Sequence, residues 1–576
     1  MKKRVLAALI IFCFNCDSKK EYDFTTVFET SEGTETATYY ETIQYYENLA
    51  DYYPEISIDS IGETDSGKPL HTVTFNPESH FDFSEIRKEK RLLLINNGIH
   101  PGESDGIDAT MLLFRDLAQG KIEAPKHTVI VTIPIYNVGG SLNRNTGTRT
   151  NQNGPKAYGF RGNARNYDLN RDFIKNDTKN ARTFAKIFHR INPDVFIDNH
   201  VSNGADYQYT LTHLFTQHNK LGGDLGHYLH SEMMPKLEQK LDAKQWDITP
   251  YVNVFNTVPE KGFSQFMDSP RYSTGYTTLF NTLGMMVETH MLKPYKQRVE
   301  GTYELMKSML VIIDEDYKKI KALRQDFNKT LIAKNSYPLQ WAIDTTQETT
   351  LNFKGFEGNT IESPLTGATR LKYDTAKPFN KQITYQNYFK PSLEVTLPTA
   401  YVIPQGWWQI LDLLELNRVT FKVLEKDTLL PVTSYKIDNY ETRKEAYEGH
   451  YSHYNTTVKR TQEKINFKKG DYIVDTNQYA LRYLLETLEP QAPDSFFNWN
   501  FFDTILQQKE GFSPYVWEDK AESLLAKNPN LKAAFKSKKA NEPDFASNWY
   551  AQLDWLHKNS ENYEKAHLQY PVYRIE

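Results

Sequence analysis

At 576 residues, with 39% hydrophobic and 24% charged residues and a formal net charge of -5, the chain has material for a large core and, by length, for about two to four domains. No basic cluster interleaved with aromatics occurs, which argues against a nucleic-acid binder. The 37 tyrosines and 32 phenylalanines argue against a disordered chain.

Lys2, Lys3 and Arg4 precede an apolar run, Val5 to Phe14, that is too short to span a bilayer, so residues 1–16 read as an export signal. The only cysteines, Cys13 and Cys16, lie in or just after that run, and the mature chain is left without an internal disulfide. Cys16 resembles the lipid-attachment cysteine of bacterial lipoproteins, although Phe14-Asn15 stands where small residues are usual. The expectation is a periplasmic or surface lipoprotein held at Cys16, its only membrane association, with plain secretion as the alternative. Residues 17–35 read as a polar tether.

Thr38-Tyr-Tyr-Glu41 fits a capping box, and Ile43, Tyr46, Leu49 and Ala50 follow at helical spacing, predicting a helix that ends before Tyr53-Pro54. Ile56 to Ile61 and His71 to Phe75 predict a strand pair. Leu92 to Ile95 is a buried strand stopped by Asn96-Asn97-Gly98. A helix over Ile107 to Leu117 and a strand over Val129 to Ile135 follow. Residues 141–166, rich in Asn, Gly, Thr and Arg, have no apolar periodicity, and such long loops are usually functional. Asn180 to Arg190 predicts a helix, Val195 to Ile197 a strand delivering Asp198-Asn199-His200, Thr282 to Val287 a strand delivering Glu288, and Tyr295 to Lys329 a long closing helix. This alternation indicates an α/β domain over residues 36–330. Residues 337–576 read as a smaller β-rich α+β region with a helical end, and no internal repeat is visible.

His100-Pro-Gly-Glu103 follows the first buried strand, and ligands collect at the carboxyl ends of strands in α/β sheets. Imidazole and carboxylate donors suit zinc, whose catalytic sites take three protein ligands. Alone the pair says little. With His200 and Glu288 at other strand ends, however, it gives three donors and a spare carboxylate, the inventory of a zinc hydrolase. Asn170-Arg171 places an amide beside a guanidinium, a pairing suited to gripping a carboxylate.

His-Pro-Gly-Glu, Asp-Leu-Asn-Arg-Asp-Phe, a distant Asp-x-His and a strand ending in Glu together resemble the zinc carboxypeptidases typified by carboxypeptidase A. The resemblance runs from about Thr36 to Asn328. It implies a mixed, largely eight-stranded sheet flanked by helices, one zinc ion per chain, and hydrolysis of a peptide bond next to a free carboxylate. It implies that His100, Glu103 and His200 ligate zinc and that Glu288 activates the metal's water as general base, then donates the proton. Asn170 and Arg171 would bind the terminal carboxylate, Asp168 would orient His100, and Arg161 would stabilise the oxyanion. The family's carboxylate-side tyrosine falls on Tyr272, with Tyr276 close behind, and Arg271 is a further candidate for an anionic group. Two departures stand out. Asn166-Tyr167 replaces a Gly and a small apolar residue, and Asn tolerates the left-handed backbone of that Gly. Asn137-Val-Gly-Gly140 replaces Asn-Pro-Asp-Gly.

Alternatives remain open at several positions. Arg144 or Arg149 could take the oxyanion role, and Tyr272 and Tyr276 could simply pack. His290 reads as a core or supporting histidine, and His213, His218, His227 and His230 as solvated. His450 and His453 read as part of a surface loop rather than a second metal site. The same centre could serve an amidase, a cell-wall peptide hydrolase or a deacylase, or persist as an inactive peptide clamp.

Overall fold

The computed structural model describes residues 22–576. The expected export signal, with Cys13 and Cys16, lies outside the described residues. Among those residues, no helix is long and apolar enough to cross a membrane.

An eight-stranded mixed sheet forms the centre. From one edge its strands are Ile56–Glu63, Pro69–Phe75, Thr128–Ile133, Arg91–Asn96, Val195–Ser202, Leu283–His290, Leu211–Phe215 and Ile248–Pro250. The four central strands, Thr128–Ile133, Arg91–Asn96, Val195–Ser202 and Leu283–His290, are mutually parallel. Their apolar runs are continuous rather than alternating, because helices cover both faces and each side chain meets an apolar layer. Leu92, Leu93, Leu94, Ile95, Val129, Ile130 and Val131 are accordingly fully buried.

Two of the expected strands extend further than their apolar runs. Val195–Ser202 contains His200, and Leu283–His290 contains Glu288, so both groups lie within the sheet rather than beyond it. Backbone pairing continues into polar residues wherever a neighbouring strand offers its ladder. Parallel pairing sets His200 directly beside Glu288 and Asn96 directly beside Asp198.

The predicted first helix is Tyr39–Tyr52, capped reciprocally by Thr38 and Glu41. The tether reading fails from Tyr22 onward. Phe24 and Phe28 are buried, Phe24 packs edge-on against Tyr45 and Tyr52, and Thr26 and Glu29 cap the short helix Val27–Thr30. Asp23, Thr25 and Glu32, polar residues of the kind that suggested a tether, lie on the exposed side of this packed segment. The long closing helix is two, Tyr295–Glu315 and Tyr317–Ile332, broken at Asp316.

The residues beyond 335 form long hairpins, including Thr349–Glu362 with Thr369–Gln386 and Thr428–Thr442 with His453–Phe467, followed by helices. They share the core of the first region. One apolar cluster runs from the central sheet to Tyr401, Leu414, Tyr483, Phe496 and Tyr570.

Three histidine readings change. His213 lies on the Leu211–Phe215 strand, is buried, and pairs with Glu238 at 2.9 Å. His218 stacks on His230 in a mostly buried pair that meets Tyr388. His450 and His453 belong to no free surface loop: they pair with Asp177 and Asp503. These imidazoles are held by acids or rings that arrive from distant sequence. His290 is a buried supporting residue, as expected, stacked on Tyr207 and 3.0 Å from Asp206.

Candidate metal centre and cleft

The Arg91–Asn96 strand ends at the sheet rim, and the turn after it brings His100 and Glu103 back over the strand ends. Burial would be costly for these groups if they were not paired. The ligand atoms of His100, Glu103 and His200 lie within 4.8 Å of one another, and all three residues are buried.

The orientation of the imidazoles is the informative part. His100 turns Nε2 to Asp168 Oδ1 at 2.9 Å, and His200 turns Nε2 to Asp198 Oδ2 at 2.9 Å. Ionised carboxylates only accept, so both Nε2 atoms carry the proton. Both Nδ1 atoms then face Glu103: His100 Nδ1 stands 3.1 Å from Oε1 and His200 Nδ1 3.0 Å from Oε2. Among the described residues, the buried His100 Nδ1 has no hydrogen-bond partner. Two imidazole lone pairs aimed at a carboxylate repel it unless a cation or extra protons lie between them. The donor set, two nitrogens and an anionic oxygen, therefore fits a zinc ion.

Electrostatics point the same way. Burial works to raise the Glu103 carboxyl, but the Arg149 guanidinium and the imidazoles outweigh it and hold Glu103 well below its ordinary value. Burial works to lower His200, but Asp198 and Glu103 outweigh it and push His200 well above its ordinary value.

Asp198 holds His200 from a buried network. It accepts from Asn96 Nδ2 at 2.9 Å and from the Ser273 hydroxyl. Asp168 receives Arg161 Nε at 3.0 Å and Nη2 at 2.8 Å beside its contact with His100. Such partners fix tautomer and ring orientation and raise ligand basicity.

A cleft of about 500 Å³ opens over this cluster. Glu288 lines it, half-buried, and among the described residues its carboxylate makes no hydrogen bond. Burial first, then the Glu103 and Asp198 carboxylates, push Glu288 up to about 7 against the pull of His200. Arg161, Asn170, Arg171 and Tyr272 line the same cleft. Arg161 leaves Nη1 turned toward Glu103, 3.7 Å from Oε1. Arg149 also lines the cleft, 2.8 Å from Glu103 Oε1. Its loop is held by Arg298, which donates to the Asn153 and Gly154 carbonyls, and by Gln152, which donates to the Gly102 carbonyl. Arg144 instead grips the carbonyls of Thr36, Ala37 and Ala157, so it is a structural arginine. Asn166 adopts φ +63°, the left-handed turn expected of it.

Two expected substrate contacts lie elsewhere. Tyr276 is fully buried, with its hydroxyl donated to Asn417 Oδ1 at 2.6 Å. It sits on the helix Ser273–Thr278, four residues after Tyr272, where it is turned inward among Phe173, Phe188 and Phe280. Arg271 does not line the cleft. Its Nη2 lies 2.7 Å from the fully buried Asp494, and its Nε and backbone N–H donate to the same carboxylate. A carboxylate 223 residues away already occupies the guanidinium offered to substrate.

The sequence offered Asp198 within the Asp-x-His motif without a role for it, although that spacing on a strand carried the signal: period two puts both side chains on one face. Tyr447 and Glu448, which reach this wall from the second region, left no signal in the sequence.

No family model matches the chain. Curated relatives include carboxypeptidase 2 of Trichophyton rubrum, 22% identical over 435 residues, covering 70% of this chain and 72% of that protein. Carboxypeptidase 2 of Trichophyton equinum is 22% identical over 481 residues, covering 76% and 81%. Among solved structures, carboxypeptidase A of Helicoverpa armigera overlaps 49% of this chain and 74% of its own, with 15% identity and a TM-score of 0.36, a partial likeness. In sequence the chain is similar to curated carboxypeptidases at 22% identity, and its centre is the mixed eight-stranded sheet that the resemblance of its motifs implies.

Proposed function

We propose that the chain is a zinc-dependent metallocarboxypeptidase that hydrolyses the peptide bond next to a free C-terminal carboxylate. The observation carrying this reading is the paired geometry of His100 and His200. Each has Nε2 fixed by a carboxylate and Nδ1 turned to Glu103, with Glu288 beside His200 in the sheet. His100 Nδ1, His200 Nδ1 and Glu103 would hold the zinc ion, which supplies Lewis acidity to the scissile carbonyl and to water.

The chain's own residues carry the rest. Arg171 presents a cation to the terminal carboxylate, with Asn170 and Tyr272 beside it in the cleft wall. Glu288 accepts the proton of the attacking water at its carboxylate and then passes it to the leaving amine nitrogen, roles that suit a carboxyl held near neutrality. Arg161, tethered through Nε and Nη2 to Asp168, keeps Nη1 for the negative charge that develops on the carbonyl oxygen. Asp168 and Asp198 keep both imidazoles in one tautomer.

Peptides with free and with amidated C-termini, compared on the same enzyme, test the reading. The free acids should be cleaved at their last residue, with at least about a hundredfold advantage in kcat/KM, the scale of a charged group losing its partner. Equal rates on amidated peptides would favour an amidase. Export and lipid attachment at Cys16 belong to the same proposal, and the mass of the mature N-terminus tests them.

A further inference from the structure

The second region reaches the cleft wall through the tip that joins strands Thr428–Thr442 and His453–Phe467. Four successive residues there meet the segment that carries Asp168 and Arg171. Tyr447 Oη accepts from Arg171 Nε at 2.9 Å, and Glu448 Oε2 accepts from the Asp168 backbone N–H at 2.8 Å. Gly449, at φ +79°, lets the backbone approach Tyr167: a Cβ there would stand 2.5 Å from the Tyr167 hydroxyl. His450 Nε2 pairs with Asp177 at 2.7 Å.

Tyr447 is itself held. Its ring lies nearly parallel to Trp499 at 6.1 Å, and Arg443 and Arg271 lie over it at 5.4 and 5.8 Å. Arg271 is in turn anchored by Asp494. The Tyr447 hydroxyl is thus a fixed acceptor. With Nε taken by Tyr447, Nη1 donating to the Asn170 carbonyl at 2.8 Å, and Tyr272 beneath the guanidinium at 4.5 Å, Arg171 is oriented on three sides. Among the described residues Nη2 is the corner left without a partner, and Arg171 lines the cleft.

We propose that Tyr447 is a positioning residue for Arg171, so that the C-terminal region forms part of the site for the substrate's carboxylate. The inference rests on the carboxypeptidase reading for the identity of that substrate. A long side chain left to sample rotamers binds an anion less well than one fixed in advance, because ordering it opposes binding. The second region supplies that order from 276 residues away.

The test is calorimetric binding to the full-length, zinc-loaded chain, with N-acetylphenylalanine as the free-acid probe and N-acetylphenylalaninamide as its neutral control. Tyr447→Phe keeps the ring and its stacking and removes only the acceptor oxygen. It should weaken the acid about tenfold, the scale of a hydrogen bond to a charged group, and leave the amide unchanged. With peptide substrates KM should rise while kcat holds. In an Arg171→Lys background, Tyr447→Phe should add no further loss, because its effect runs through the guanidinium. Unchanged acid binding, equal loss for acid and amide, additive losses in the double variant, or a wild type with no preference for the acid would each overturn the proposal. A wild type that prefers the acid through Tyr447 yet cleaves no peptide would leave this inference standing and defeat the carboxypeptidase reading.

Discussion

Asp198 and His200 stand two residues apart on one strand, and the Asp198 carboxylate meets His200 Nε2 at 2.9 Å. Strand periodicity places both side chains on one face, and Asn96 and Ser273 hold the carboxylate in turn. Asp198→Ala should weaken zinc binding by about 10- to 100-fold, the usual effect of removing such a partner. Competition against a chromophoric chelator measures it. Ser273→Ala, which leaves Asp198 and Asn96 in place, should lose less.

Glu288→Gln should keep its zinc and lose about 10²- to 10⁴-fold in kcat. The wild-type base must be ionised to take a proton, so kcat/KM should fall as pH drops through the pKa of Glu288. That pKa is about 7 without a metal, and a bound dication pulls it lower, so the acid limb should lie below 7 in the zinc enzyme. A pH–rate profile checks this. The residual rate of the Gln variant should lack that limb.

Tyr272 and Tyr276 should separate cleanly. Tyr276→Phe leaves Asn417 Oδ1 without its donor in the core, which should destabilise the fold by about 1–3 kcal/mol while leaving KM unchanged. Tyr272→Ala should raise KM for free-acid peptides, since it removes the ring beneath Arg171. Denaturant unfolding and steady-state kinetics on both variants decide.

Arg271→Ala would strand a fully buried carboxylate, and breaking such a pair costs about 3–5 kcal/mol. Burial alone would raise Asp494, but Arg271 outweighs it and holds Asp494 below its ordinary value. The pair therefore contributes stability at neutral pH that is lost as pH falls through the depressed pKa of Asp494. Urea unfolding of wild type and variant as a function of pH should show the gap between them narrowing toward acid.

Much of the first region was legible because its signals are local. Apolar runs at 92–95, 129–133 and 195–197 mark strands covered on both faces, and the Thr38–Glu41 box marks a helix start. His100 and Glu103 could be singled out only with His200 and Glu288, since three positions of spacing say little alone. What could not be read depends on partners far away in sequence. The side chain of Arg271 looks free until Asp494 is placed against it, and Tyr276 looks like Tyr272 until Asn417 takes its hydroxyl. Residues 22–33 look polar until Phe24 meets Tyr45 and Tyr52. The hydroxyl of Tyr447 came to meet Arg171 only through tertiary pairing that no periodicity encodes.

Zinc titration of metal-free protein, competed against a chelator and run beside Glu103→Ala, tests the central claim most directly. The converging Nδ1 atoms of His100 and His200 predict one tight site per chain in the wild type and its loss in the variant. A wild type that binds no zinc, or a variant that binds it equally well, would contradict the account.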